Sequence, residues 1–198
     1  MQDVWAKVLA GEVIDPGSYS MKTLSVLRNM SAKDAELFER IAPFVISREY
    51  IIHYDDINKK YGVSYEDILT LDDLGLLNSS GIISTKIEVK NKPEALMYFE
   101  EYILLATSEE SIIVEFQNFP LSRAGKELLE VVKQANHVHG NEYKSMPESY
   151  MDDVVQRLKN SNMNVKMSLH RIISKKGDYI EYDDHEREIE TVEYNEVL

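Results

Sequence analysis

The chain of 198 residues contains no cysteine. This removes disulfides, thiol nucleophiles and every cysteine-ligated zinc or iron–sulfur site, and leaves oxygen and histidine as the available metal ligands. Long apolar runs are also missing. No stretch approaches the ~18 apolar residues that a membrane span requires, and the N-terminus lacks the basic-then-apolar plan of a secretion signal. A cytoplasmic protein without a membrane partner is therefore expected. The eight glycines are scattered at turns and helix ends. Neither Gly-x-Gly-x-x-Gly nor a phosphate-cradling P-loop can be assembled from them. There is no Gly-x-Ser-x-Gly elbow, and no serine has a histidine at a spacing that points to nucleophilic catalysis. Internal repeats, low-complexity stretches and long flexible linkers are absent.

What is present is a globular composition, 43% hydrophobic, with a net charge of −13. The charge is uneven: Asp178 to Leu198 holds nine acids against one arginine, a net −8. Such a field repels polyanions, and nucleic-acid affinity rests largely on phosphate neutralisation, so nucleic acid is not an expected partner.

Capping residues and hydrophobic spacing set out the elements. Asp3 to Gly11 reads as a helix with Val4, Trp5, Val8 and Leu9 on one face and Gly11 as its stop. With Trp5 so close to Met1 and no N-cap before it, this helix is read either as the cut end of a longer protein or as one leaning on a partner. Ser20 caps a helix through Met30, and Ser31 with Asp34 opens another through about Val45. Asp55 to Tyr61, ended by Gly62, and Ser64 to Leu74, ended by Gly75, have helix-turn-helix spacing. Strands are expected at Ile82 to Val89, Tyr98 to Ala106 and Ile112 to Phe116. A helix capped by Ser122 follows, then one with Pro147 in its first turn running to about Lys159. Val165 to Ser174 and Tyr179 to Asp183 flank Lys-Lys-Gly-Asp as a hairpin. Glu186 to Leu198 reads as an edge strand or a disordered tail.

The expected fold is α+β: an N-terminal helical layer (1–48) packed on a winged-helix-like region with an enlarged wing (49–135), then a helix, a β-hairpin and an acidic tail (136–198), together one compact unit. Expected core positions are Trp5, Leu24, Leu27, Phe38, Ile41, Leu69, Leu71, Leu74, Leu128 and Leu129.

Three stretches, Trp5-Ala-Lys-Val-Leu-Ala-Gly-Glu12 with Ser20 to Leu24, Ser31-Ala-Lys-Asp-Ala-Glu-Leu-Phe38, and Ile68 to Leu77, occur together with Leu121-Ser-Arg-Ala-Gly-Lys-Glu-Leu128. Over roughly residues 4 to 160 the chain thereby resembles an uncharacterised bacterial family, domain of unknown function 2806. Members of that family usually carry additional sequence before the tryptophan. The resemblance implies helix starts and packing positions, and no catalytic residue. The tryptophan helix and the Asp34 to Leu37 segment are similar, more loosely, to the Abi-alpha group of abortive-infection proteins, bacterial anti-phage factors.

Candidate sites divide into three groups. The helix at DNA-reader position, Tyr65 to Asp73, offers four acids and no lysine or arginine to meet phosphates or guanine. Lys59, Lys60, Lys86, Lys90 and Lys92 are the nearby cations. His137 and His139 would chelate a metal if extended and joined by Glu142; Asp183, Asp184, His185 and Glu186 would hold a hard cation or pair as acid and base. Exposed loop histidines and a solvated acidic turn are the ordinary readings, so neither group is taken as a metal site and no cofactor is implied. Tyr50, Tyr54, Tyr61, Tyr65, Tyr98 and Tyr102 crowd the centre as core, or as a partner surface if exposed together. The favoured function is a non-enzymatic protein-interaction or structural domain, its partner a protein or a preceding domain of the same chain. The alternatives are a winged-helix regulator on DNA and a phage-defence or toxin-like effector.

Overall fold

A computed structural model describes residues 10–11, 14–78, 83–138, 145–176 and 179–187, with backbone alone for 134–138. The expected helix around Trp5 and the acidic end beyond residue 187 lie outside the described residues. The described chain mixes α and β structure, with six α-helices and two antiparallel sheets. The helices are α1 (Met21–Asn29), α2 (Ala32–Ile41), α3 (Asp55–Lys60), α4 (Tyr65–Asp73), α5 (Arg123–Val138) and α6 (Glu148–Ser161). The strands are β1 (Tyr50–Ile52), β2 (Ile83–Val89), β3 (Glu94–Phe99), β4 (Tyr102–Thr107), β5 (Ile112–Pro120), β6 (Lys166–Lys176) and β7 (Tyr179–Glu186). No described helix is long and apolar enough to cross a membrane. Two compact units divide the chain, Met1–Ser84 with Gln117–Ser145, and Thr85–Phe116 with Met146–Leu198, so that β2 and β5 run from one into the other.

In the first unit, serine caps start the helices. The Ser20 hydroxyl accepts the Thr23 N–H at 3.2 Å. Ser31 and Ser64 form full capping boxes, in which Asp34 and Asp67 reach back to the cap N–H groups at 2.8 and 2.9 Å. α2 ends at Ile41 rather than near Val45, because Pro43 cannot continue the α ladder; Ala42–Phe44 is a 3₁₀ turn. Gly62 and Gly75, at φ of 78° and 76°, close α3 and α4 in the left-handed conformation. The three-stranded sheet has the order β1-β5-β2, and its β1–β5 pairing sets Tyr50 opposite Pro120 and Ile52 opposite Asn118. α1 packs on α5 and α2 on α4.

Leu27, Phe38, Ile41, Leu71, Leu128 and Leu129 are buried as their spacing requires, each worth roughly 1.5–3 kcal/mol of transfer free energy. Leu24 and Leu74 are only half-buried. Leu69 is 43% exposed, because Ile68 and Leu71 already fill the inward face of α4. In α1 the inward position next to Leu27 belongs to Thr23. It is fully buried, and its hydroxyl donates to the Glu127 carboxylate of α5 at 2.7 Å.

The second unit is a four-stranded antiparallel sheet of order β3-β4-β6-β7, with α6 between its two hairpins in the chain. Central β4 is buried from Ile103 to Ala106. α6 contributes Tyr150, Met151, Val154, Val155 and Leu158 to the core. Tyr98 to Ala106 is two strands rather than one: Glu100, at φ 47°, turns the chain between Phe99 and Tyr102. The C-terminal hairpin forms as expected, pairing Lys176 with Tyr179 and Ile172 with Tyr182. Arg187 follows it, donating its N–H to Leu169 O at 2.8 Å and its guanidinium to Asp152 and, at 3.1 Å, to Glu148 on α6.

Candidate functional site

The face of α4 is the feature that most needs explaining. Its four acids do different work. Asp67 is structural: it accepts the Ser64 N–H in the capping box and an Arg40 guanidinium bond at 2.8 Å, while Arg40 also donates to the Gly62 carbonyl. Burial pushes the Asp67 carboxyl up, but these bonds outweigh it and hold the group below the ordinary carboxylate range. Glu66 and Asp73 point to solvent. Beside them, one turn apart, Tyr65 and Leu69 stand 54% and 43% exposed.

Tyr65 does not stand alone. Its ring lies 6.3 Å from that of Phe119 on β5, whose ring in turn lies 4.6 Å from that of His53. Beside this row a groove of about 330 Å³ is lined by Asp55, Asn58, Lys59, Val63, Ile68 and the two aromatic rings. The groove has a rigid floor, since the buried Asn58 amide donates to Ile52 O at 2.7 Å and ties α3 to β1. His53 Nε2 is 3.1 Å from Asp55 at the groove's edge.

Three of the cations that could favour nucleic acid are neutralised locally. Lys86 pairs with Glu115 at 3.4 Å, Lys90 with Glu88 at 2.8 Å, and Lys92 with Glu94 at 3.0 Å. Such exposed pairs add little stability, yet they cancel the field a phosphate would seek.

The six tyrosines fall in different places. Tyr50 is half-buried, and burial of its phenol pushes it up to about 12. Tyr54 and Tyr61 are half-buried, Tyr61 at 6.4 Å from Phe44 with Lys60 over its ring at 5.3 Å. Tyr65 is the exposed member of the set. In the other unit, Tyr98 lies under Lys175 at 5.8 Å and Tyr102 under Arg187 at 5.3 Å, both half-buried.

His137 falls in α5, where the backbone alone is described; His139 and Glu142 lie outside the described residues. Asp183, Asp184 and His185 lie on β7. The Asp183 carboxylate accepts the His185 N–H at 3.0 Å, while Asp184 and His185 are exposed. Among the described residues no group of three or more His, Asp or Glu is placed to hold a metal. The Asp183 carbonyl makes the less expected contact: His170 Nδ1 approaches it at 2.8 Å, and the same ring's Nε2 lies 2.8 Å from Ser168 Oγ. Sequence reasoning missed this pair although it read Val165 to Ser174 as a strand, because sharing a strand face does not fix a ring's orientation, which here depends on the Asp183 carbonyl of β7.

The chain matches the model of the family described as Protein of unknown function (DUF2806) over residues 1–51 and 52–146, and it belongs to that family. No curated protein and no solved structure matches it. The matched residues take in the Ser31 and Ser64 caps, α4 and the whole of α5. They end before α6, so the Ser168–His170 strand lies beyond them.

Proposed function

We propose that α2 to α5 with the three-stranded sheet form a winged-helix-like unit that serves as a protein-interaction domain. Supporting the winged-helix reading are the element order α2-β1-α3-α4-β2 followed by β5, and the strand order β1-β5-β2, with β3 and β4 inserted between the two wing strands. The observation that carries the functional reading is the outward face of α4. It exposes Tyr65 and Leu69, the face a recognition helix would use for base contacts, with Glu66 and Asp73 along one side of them and no lysine or arginine in the helix. An aromatic and an aliphatic anchor with an acidic edge suit a partner with an apolar patch bordered by basic residues.

The test is photocrosslinking in cells from an unnatural residue at position 69, read by gel and mass spectrometry. A discrete protein adduct, weakened by salt and lost in Tyr65→Glu, is expected. Nucleic-acid adducts, or DNA retention in filter binding at low ionic strength where nonspecific affinity is greatest, would overturn the reading in favour of a regulator.

A further inference from the structure

We propose that Ser168 is an activated nucleophile, with His170 as its general base, in a groove of the β3–β7 unit that takes small carboxylic esters. The inference goes beyond the interaction reading, which concerns the other unit.

Alternation along β6 puts Ser168 and His170 on one face of the sheet. The hydrogen bonds then define the proton positions. A backbone carbonyl can only accept, so the His170 Nδ1 at 2.8 Å from Asp183 O carries the hydrogen. In the neutral ring Nε2 is therefore left as the base, and it faces the Ser168 hydroxyl at 2.8 Å. The ring has no freedom to turn away, being only 9% exposed, held at both nitrogens and packed 5.3 Å from Tyr182. A base already oriented on its nucleophile, with an acceptor fixing its far nitrogen, is the arrangement nucleophilic catalysis needs.

A histidine that only filled space in the sheet would close its serine in with it. Here Ser168 is half-buried, and it is among the residues lining a groove of about 580 Å³ together with Thr107, Met163, Val165 and Met167. A neighbouring hollow of about 600 Å³ shares Thr107, Met163 and Lys166 with it. The apolar lining residues suit a short acyl chain, and the cations lining the groove are Lys166 and Lys159, the latter paired with Glu186 at 3.5 Å.

In the step proposed, Ser168 Oγ bonds to the ester carbonyl carbon as its proton moves to His170 Nε2. The carbon–oxygen bond to the alcohol breaks, and the alcohol oxygen takes that proton from His170. Water then attacks the acyl-serine, giving one proton through His170 back to Oγ and releasing the carboxylic acid. Atoms balance with water as the one co-reactant.

The test treats the full chain with p-nitrophenyl acetate and, separately, with a fluorophosphonate probe, mapping adducts by mass spectrometry. The expected adduct is on Ser168, formed at least ~100-fold faster than on exposed Ser31, and absent in Ser168→Ala. His170→Ala should slow it by ~10²–10⁴-fold, with recovery on adding imidazole. Wild-type protein that labels Ser168 no faster than Ser31 overturns the proposal, and that comparison needs no variant to fold. Equal Ser168 labelling in a folded His170→Ala overturns it as well.

Discussion

Gly125 stands in the first turn of α5, where alanine would ordinarily favour the helix by up to ~1 kcal/mol. The opposite is expected at this position. A β-carbon on Gly125 would sit 2.2 Å from the Leu76 carbonyl oxygen and 2.9 Å from Leu121 Cδ2, where ordinary contact begins at 3.4 Å. The nearer atom is backbone, so no side chain can swing away. The Leu76 oxygen must give way by more than an ångström, and it also accepts the Ser122 N–H at 2.9 Å. The same corner is pinned by the Ser122 hydroxyl, which donates to Gly75 O at 2.6 Å and accepts the Gly125 N–H at 3.1 Å. Overpacking costs about 1–3 kcal/mol, and a buried hydrogen bond lost in the process about 1–3 kcal/mol more. After the propensity gain, Gly125→Ala should be less stable by about 1–5 kcal/mol. Urea unfolding followed by circular dichroism reads this as a lowered midpoint. Ser122→Ala should cost about 1–2 kcal/mol, and the double variant less than the two single losses together, because both act on the same corner. A Gly125→Ala protein as stable as wild type would refute the close approach on which this rests.

Three further outcomes follow from single residues. Asp67, whose carboxyl is held low in the fold, stabilises above its unfolded pKa of about 3.9, and that contribution is lost as pH falls through the lower folded value. Asp67→Ala should therefore cost ~1 kcal/mol near pH 7, and the gap from wild type, measured by urea midpoints across pH, should close on acidification below about pH 4. Glu100→Gly should stabilise by ~1 kcal/mol in thermal melts, since a non-glycine residue at φ 47° carries a steric cost that glycine avoids. Arg187→Met should cost about 2–4 kcal/mol by leaving Asp152, only 7% exposed, without its guanidinium; adding Asp152→Leu should recover most of the loss.

How much was legible in the sequence depended on whether the local signal competed with tertiary demands. Ser20, Ser31, Ser64 and Ser122 announced helix starts because a cap is satisfied within four residues. Gly62 and Gly75 announced stops because few other residues take positive φ readily. The Glu100 turn was illegible for the converse reason. It takes the left-handed conformation without glycine or asparagine, so an alternating run from Tyr98 to Ala106 conceals a hairpin. Leu69 shows a different limit: a leucine at helical spacing reads as core, but α4 has room inward for Ile68 and Leu71, and the third apolar side chain is left outside. That excess is the candidate interaction surface, and periodicity alone could not separate it from packing.

The acidity of the chain also divides once contacts are known. Asp34 and Asp67 close capping boxes. Glu127 binds Ser20, Thr23 and Arg123, bonds that outweigh the burial pushing its carboxyl up and hold it low. Asp152 anchors Arg187, and Glu88, Glu94 and Glu115 cancel the lysines beside them. These acids serve folding, and their number says little about partners. Glu66 and Asp73 differ because they are exposed beside Tyr65 and Leu69 on α4, the helix proposed to meet a partner. If α4 were a recognition helix, these two acids would oppose a phosphate at its outward face. Reversing both to lysine would remove that specific obstacle while leaving the caps and ion pairs intact. If the charge of the face selects the partner, the Glu66→Lys/Asp73→Lys protein should lose the position-69 protein adduct while its urea midpoint stays within about 0.5 kcal/mol of wild type. Retention of the adduct would mean that Tyr65 and Leu69 recognise their partner without the acidic edge.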